Sequence, residues 1–580
     1  MALSANTAWE CRTTGNDTNG AAFNPANANM TSDLAATSAT GSSPVVTSVS
    51  YNFAAGDVGS WLFIKSGSNW VPGWYQIASV SMGAATLTAG VGTVQLYGGA
   101  SQTNTSAGCA TTASPTSGKW AIDYSQQAGT VIALTDAACL GSTTNITSVS
   151  ALFTPAMIGN VCYLSGGSGS ITAARYEISN YTSATTIVVD RNVATSTGMT
   201  LNVGGACLTL GELANSTRGM VFSNKAFVAT GTYGITSALT FAQTGTPSNS
   251  APPTVIQGYN SLRGDISYGT SNQANRPNIS VTSALGAAAL TLSGGGLRAR
   301  NLVVSVNGGS YTNGITISGV GSSVTNCKVS GFSGIGINCG GNGAAALYCE
   351  ATGNASGATA GISANGNNTF VFGCWSHDNT TGTTCAGFSL SGSAMSNITQ
   401  CIASNNTGSS ADGFSVGTGA QVVKDCIAYN SGRDGLRLTS SLGISTILNN
   451  IFSTNGGYGL NYSAGNGFAA TLHWDGNAYY NNTSGTINNL SDVSSNPIDG
   501  VAPYFMSRNV ICSGDPFVSA STNNFQLNNT ASAGAACRAT GITNTFPGMT
   551  GSNSVGYKDM GAVQHQDPAS TSGGAWTFVS

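Results

Sequence analysis

Charge is what this sequence has least of. Its 580 residues hold only 18 Lys+Arg and 21 Asp+Glu, so 7% is charged, where an ordinary soluble domain carries roughly 25%. No run of Lys or Arg occurs and the formal net charge is −3, which leaves no electrostatic footprint for phosphates or anionic lipid. Nucleic-acid partners are therefore not expected. Nor is membrane insertion, because no stretch approaches the roughly 18 consecutive apolar residues of a spanning helix. Histidine is limited to His377, His473 and His565, too few for a multi-His zinc site, and no metal or cofactor is expected. The 14 cysteines include no closely spaced Cys-x-x-Cys pair and are too dilute for a disulfide scaffold, so they read as buried thiols. The start, Met1-Ala-Leu-Ser-Ala-Asn6, has neither the basic segment nor the apolar run of a signal peptide, and export by the general route is not expected. A P-loop, a dinucleotide fingerprint and a serine nucleophile elbow are also lacking.

What is abundant is small. Glycine contributes 78 residues, yet 41% of the chain is hydrophobic and mean hydropathy is +0.07, too apolar for a disordered chain. Ser, Thr and Asn compete with the helical backbone for hydrogen bonds and Gly loses the most entropy on ordering, so the composition points to an all-β fold. A single globular core stops growing at roughly 250–300 residues. A solenoid escapes that limit.

Two repeats are visible. Thr47-Ser-Val-Ser50 recurs as Thr147-Ser-Val-Ser150, and the match continues through Phe53 and Phe153, Trp61-Leu-Phe-Ile64 and Val161-Cys-Tyr-Leu164, and Tyr75-Gln-Ile77 and Tyr176-Glu-Ile178. Short β-rich runs alternating with Gly/Ser turns make each copy a small antiparallel β module, with its strands at about 28–110 and 128–203. Neither copy holds a carboxylate or histidine cluster, so structural spacing is the plain reading. Attachment or glycan contact through Trp61, Trp70 and Trp74 is the functional one.

The second repeat runs from about 300 to 460. Cys327, Cys349, Cys374, Cys401, Cys426 and Asn450 follow one another at 22, 25, 27, 25 and 24 residues. In phase with them come Gly314, Gly336, Gly361, Gly387, Gly413, Gly435 and Gly459, each followed by an apolar residue. Such a period, with two or three short strands per repeat, is that of a β-solenoid. Coils stacked at roughly 4.8 Å turn equivalent residues into ladders: the cysteines inward, and Asn354, Asn379, Asn405, Asn430 and Asn455 at turns that demand the left-handed conformation.

These motifs resemble the right-handed parallel β-helix proteins of the pectin-lyase-like kind. Lys225-Ala-Phe-Val-Ala-Thr-Gly-Thr-Tyr233 looks like an opening coil, Leu208-Thr-Leu-Gly-Glu-Leu213 like a capping segment, and Ala8–Gly20 like the first strand and turn. Asp515-Pro-Phe-Val518, Asn524-Phe-Gln-Leu527 and Asp559-Met-Gly-Ala-Val563 are similar to closing coils. The expected organisation is an N-terminal strand and turn (1–27), a first β module (28–127), its duplicate (128–204), the parallel β-helix (205–480), and irregular closing coils with a cap (481–580). A weakly charged chain of this fold without a signal peptide also resembles bacteriophage tailspikes and tail fibres. That resemblance implies a homotrimer, an N-terminal region bound to other virion proteins, and a virion location, extracellular after lysis.

Carboxylates on neighbouring coils are what glycan cleavage would need. Asp412 and Asp434 both precede the repeat glycine, with Arg433 and Arg437 beside them, but Asp-Gly is equally turn chemistry, Asp bonding its own backbone and Gly taking the positive φ. Glu350, His377 and Asp378 form a second candidate, a base with an orienting acid or a ligand pair, against an ordinary solvated turn. His473-Trp474-Asp475 is similarly ambiguous. Trp375, Tyr429 and Tyr458 are candidate sugar-binding aromatics, with Arg433 and Arg437 as polar contacts. The clustered Asp and Arg/Lys motifs of pectate lyases and polygalacturonases have no alignable match. The leading expectation is a tailspike or fibre recognising host surface polysaccharide. The alternatives are a polysaccharide lyase or glycoside hydrolase on the same scaffold, and a capsid decoration or filament subunit without ligand.

Overall fold

The computed structural model describes residues 3, 6–27, 32–37, 43–88, 90, 93–95, 101–103, 114–245, 252–266, 275–283, 285–306, 313–381, 383–392, 394–439, 445–463, 472–488, 508–538, 540–541 and 559–563. The chain divides into two compact units. The first is Met1–Tyr233 with Ala242–Ser267 and Ala274–Asn278, and the second is Gly234–Phe241 with Tyr268–Gln273 and Ile279–Ser580.

Unit one contains both modules. In the first, strands run in the order Thr116–Asp123, Trp61–Ser68, Gly73–Ser81, Ala84–Leu87, Val45–Thr47 and Ala35–Ala36. In the second, Ser196–Val203, Val161–Gly166, Ile171–Ser183, Thr186–Val189, Asn145–Thr147 and Ile132–Cys139 take the same order and close into a barrel. The first copy meets its own end through Leu34 and Gly118, whose backbones exchange bonds of 3.2 and 2.9 Å. Its last strand therefore lies beyond residue 110. The repeated Thr-Ser-Val-Ser is a carboxylate clasp: Ser48 and Ser50 donate to Asp33 (2.7 Å each), as Ser148 and Ser150 donate to Asp136 (2.5 and 2.8 Å). Trp61, Trp70 and Trp74 are buried, and Trp74 donates to Asp123 at 3.1 Å. They are core residues, which corrects the reading that they contact glycan.

The opening coil belongs to this unit as well. Ala8–Cys11 lies parallel to Lys225–Ala229, itself parallel to Val255–Tyr259, so the modules are an insertion between two adjacent strands. The expected capping segment forms a short helix, Leu210–Ala214, whose Thr209 side chain caps the Glu212 N–H. Two groups of charges in the unit are paired around a buried carboxylate. Arg263 meets Glu10 at 2.8 Å and Asp123 at 3.3 Å, and Glu212 holds Arg175 and Arg218 at 2.9 and 2.5 Å.

Unit two is a parallel β-helix of three sheets. One coil shows the pattern: Phe370–Phe372 in the first sheet, Trp375–His377 in the third and Ala386–Leu390 in the second, each paired in register with its equivalents one coil before and after. The coils continue past residue 480, through Gly485–Asn488 and Val510–Ile511. Cys327, Cys349, Cys374, Cys401 and Cys426 point inward and are buried. The Cys349 N–H approaches the Cys374 sulfur at 3.3 Å and the Cys374 N–H that of Cys401 at 3.4 Å. Asn450 and Asn477 then take over the same role through their side-chain oxygens, at 2.9 and 3.0 Å.

The repeat glycines are required by close approach, not by φ. A Cβ on Gly336, Gly361, Gly387, Gly413 or Gly435 would sit 2.4–2.9 Å from the carbonyl oxygen of the next glycine in the ladder. Gly413 and Gly435 are not at positive φ, which corrects the reading of Asp-Gly as a positive-φ turn. The asparagine column is really two. Asp378, Asn405, Asn430, Thr454 and Asn481 occupy the left-handed position, while Asn354, Asn379, Asn406, Asn455 and the half-buried Asn482 stand one residue on, with Ser431 between Asn406 and Asn455, and Asn379 donates to Asn406 and Asn455 to Asn482 at 2.8 Å each.

The segment from 513 does not continue the coils as expected. Phe517–Ser519 and Asn524–Leu527 form an antiparallel hairpin. Together with Cys512, Cys537, Met560 and Ala562 it packs on Ile402, Ile427, Ile451 and Ala478, residues on the outer side of the third sheet.

Candidate functional site

From Lys328–Ser330 to Ala478–Tyr480 each third-sheet strand is three residues long, so its middle residue points inward and its flanking two point outward. Val329, Ala351, Ser376 and Ala403 are the fully buried middles. The outward columns are Lys328, Glu350, Trp375 and Ile402 on one side and Ser330, Thr352, His377 and Ser404 on the other. Stacking thus brings residues 22–27 apart in sequence into direct contact.

Lys328 pairs with Glu350 at 2.8 Å. Glu350 Oε1 also lies 3.0 Å from His377 Nε2, and His377 Nδ1 lies 2.7 Å from Asp378 Oδ2. Asp378 is at φ +53°, a conformation Asp tolerates, which turns its carboxylate back toward its own neighbour. The Trp375 ring stacks on the imidazole at 3.7 Å and 24° and donates from Nε1 to Ser404 at 2.9 Å. Glu350 and His377 side chains are 12% and 10% exposed, but Asp378 is 49% and Lys328 28% exposed. The array is half-covered on its Trp375 side, where that ring packs against the C-terminal hairpin cluster.

Both imidazole nitrogens lie within hydrogen-bond distance of carboxylate oxygens of the protein itself, so each is occupied within the fold. A base must reach the proton it abstracts, and here both nitrogens are turned to the protein's own acids. The array presents fixed charge and hydrogen-bonding groups on rigid strands. Its acids and imidazole bridge in a line instead of converging, and among the described residues no group of three or more His, Cys, Asp or Glu side chains could hold a metal ion.

Asp412 and Asp434 do stack, the Asp434 N–H reaching Asp412 Oδ1 at 3.3 Å. Both are buried and bonded within the fold. Arg433 grips Asp412 with two bonds of 2.7 Å. Asp434 accepts from the Tyr458 N–H at 2.8 Å and from Asn461 at 2.7 Å. Burial pushes the Asp412 carboxyl up, and the Arg433 guanidinium opposes that rise. Arg437 is turned to Ser463 at 2.9 Å, and Tyr458 is half-buried. Tyr429 lies edge-on to Phe517 and Phe525, 6.4 and 5.7 Å between centroids, inside the hairpin cluster instead of on an open flank. Trp474 is buried and Asp475 is paired with Arg508 at 3.1 Å, while the His473 side chain lies outside the described residues.

Lys328 and Ser404 belong to the site but were not among the candidates. The signal for Lys328 was its column: it follows Cys327 as Glu350 follows Cys349 and Trp375 follows Cys374.

No protein family and no curated protein matches the chain. Among solved structures it is similar to the pectate lyase Pel9A, at 13% identity over 63% of this chain and 92% of that one, TM-score 0.37. It is also similar to the ORF18 protein of Geobacillus virus E2 (12% identity, 52% and 55% covered, TM-score 0.28) and to the catalytic unit of a GH87 α-1,3-glucanase from Streptomyces thermodiastaticus (10%, 61% and 83%, TM-score 0.27). Such identities and scores describe a likeness of scaffold and carry nothing about chemistry. The stacked parallel sheets of unit two themselves define the class, a three-sheet parallel β-helix.

Proposed function

We propose that this protein is a bacteriophage tailspike or tail fibre that binds host surface polysaccharide on the outer third-sheet face around Lys328, Glu350, His377 and Asp378. The carrying observation is the clamped imidazole. In a chain with 7% charged residues, a Lys, a His and two acids meet on one outward face, and both ring nitrogens are already committed to the protein's own carboxylates. That favours recognition of sugar hydroxyls and charges over proton abstraction. The other acid pair, Asp412 and Asp434, is committed inside the fold and supports the same choice. Assembly as a homotrimer, attachment to other virion proteins through the duplicated modules, and a virion location extracellular after lysis complete the reading.

Host polysaccharide incubated with the protein tests it. The expected result is retention of polysaccharide with no new reducing ends and no unsaturated-uronate absorbance, and at least tenfold weaker retention for Asp378→Ala and Lys328→Ala. Released ends would make the protein a depolymerase, and no retention would make it a decoration or filament subunit. Light scattering tests the assembly: a mass near 58 kDa would overturn the trimer.

A further inference from the structure

Of the thirteen described cysteines, all buried and without a disulfide, two lie in the C-terminal segment, outside the coil ladder. The ladder sulfurs lie deep in the coil interior and each donates to a backbone carbonyl, as Cys349 does to Leu347 at 3.3 Å and Cys426 to Lys424 at 3.1 Å. Cys512 and Cys537 sit in the C-terminal segment that covers the outer isoleucine ladder. Their sulfurs are 3.7 Å apart, and the other bond of Cys512, to the Ala533 carbonyl, is long at 3.8 Å.

We infer that Cys512 and Cys537 are a redox-closed pair, a disulfide site that fastens the C-terminal segment over the third sheet once the protein meets an oxidising environment. The two sulfurs already touch, and a bond of about 2.05 Å needs them to approach by less than 2 Å, within the reach of small side-chain rotations. Cys512 is 6% exposed and Cys537 fully buried, so Cys512 is the sulfur an outside reagent meets first. The hydrogen bond from Cys537 also holds the Cys512 thiol below its ordinary value, which favours the attacking thiolate there.

The chemistry balances with a small-molecule disulfide as oxidant. The Cys512 thiolate attacks one sulfur of glutathione disulfide and expels a glutathione thiolate. The Cys537 thiolate then attacks the Cys512 sulfur of that mixed disulfide and expels the second, each leaving thiolate taking the proton its attacker gave up. The protein dithiol is oxidised by two electrons and the glutathione disulfide is reduced to two thiols. Fastening residues 25 apart restricts the unfolded segment and steadies the cover over Ile402, Ile427 and Ile451.

Incubating the full chain with glutathione disulfide, then denaturing it without reductant and titrating thiols, tests the site. The expected count falls from 14 to twelve, intact mass falls by about 2 Da, one cross-linked peptide joins Cys512 to Cys537, and the melting transition of the C-terminal region rises by a few degrees. The variant Cys512→Ala is expected to keep all of its remaining thiols. A full count after oxidation, a cross-link between other cysteines, or loss of two thiols in Cys512→Ala would each overturn the inference.

Discussion

Arg433 holds Asp412 through two parallel bonds of 2.7 Å from one coil to the next, the planar fork that guanidinium and carboxylate geometries share. Asp412 is buried while Arg433 is 32% exposed. The pair is an architectural cross-tie, and Asp412 without Arg433 is an uncompensated carboxylate inside the solenoid.

Arg433→Ala is therefore expected to cost about 3 kcal/mol, the lower end for breaking a buried pair, in denaturant unfolding. Asp412→Asn, which removes the charge instead of stranding it, should cost less. Neither is expected to change polysaccharide retention, and a loss of retention in Arg433→Ala at unchanged stability would return Arg433 to the sugar-contacting residues.

A glycine-to-alanine pair separates stacking from propensity. The Cβ of Gly387→Ala would meet Ala403 at 2.7 Å and the Gly413 carbonyl at 2.8 Å, whereas that of Gly340→Ala finds nothing nearer than 3.7 Å. Gly387→Ala is expected to lose roughly 2 kcal/mol to overpacking, and Gly340→Ala to be neutral or slightly stabilising, read from the two unfolding midpoints.

Acid should loosen the modules before the coils. Hydrogen bonds from Ser148 and Ser150 hold the Asp136 carboxyl at about 2. For Asp33, burial pushes upward but the bonds from Ser48 and Ser50 win and hold it at about 2. The folded values lie below the ordinary 3.8, so the clasps stabilise fully above about pH 4, and that contribution is lost as pH falls toward 2. The double variant Asp33→Asn/Asp136→Asn should melt lower at neutral pH and show a shallower fall between pH 4 and 2. Identical slopes for variant and parent would refute the clasps as its source.

Burial pushes the Cys339 and Cys385 thiols up to about 12. Both should resist a thiol reagent at pH 8 in the native state and react at ordinary rates in denaturant, with peptide mapping to assign each site. Fast native labelling at Cys339 would mean that the coils open there.

Much of unit two was legible because each coil packs on the next, so spacing in sequence becomes register in space. The inward cysteines and the glycine column followed from period alone. The asparagine column did not, since the left-handed turn position and the buried ladder lie one residue apart. A period that varies from 22 to 27 cannot tell Asn405 from Asn406 until their hydrogen bonds are seen. The site was half legible: Glu350, His377 and Asp378 stood out as rare types, while Lys328 was hidden among unremarked column members.

By itself, then, the sequence determined the all-β class, the duplicated module, the coil period and which residues could share a ladder, because each follows from local propensity or from contacts between neighbouring repeats. Only the tertiary structure decided what breaks that periodicity. It buried Asp412 and Asp434 in cross-ties, clamped His377 between two acids, folded the C-terminal hairpin back onto Ile402, Ile427 and Ile451, and set Cys512 against Cys537. Those contacts depend on side-chain direction and on a return of the chain that no repeat spacing encodes, and they separate a buried carboxylate from an available one.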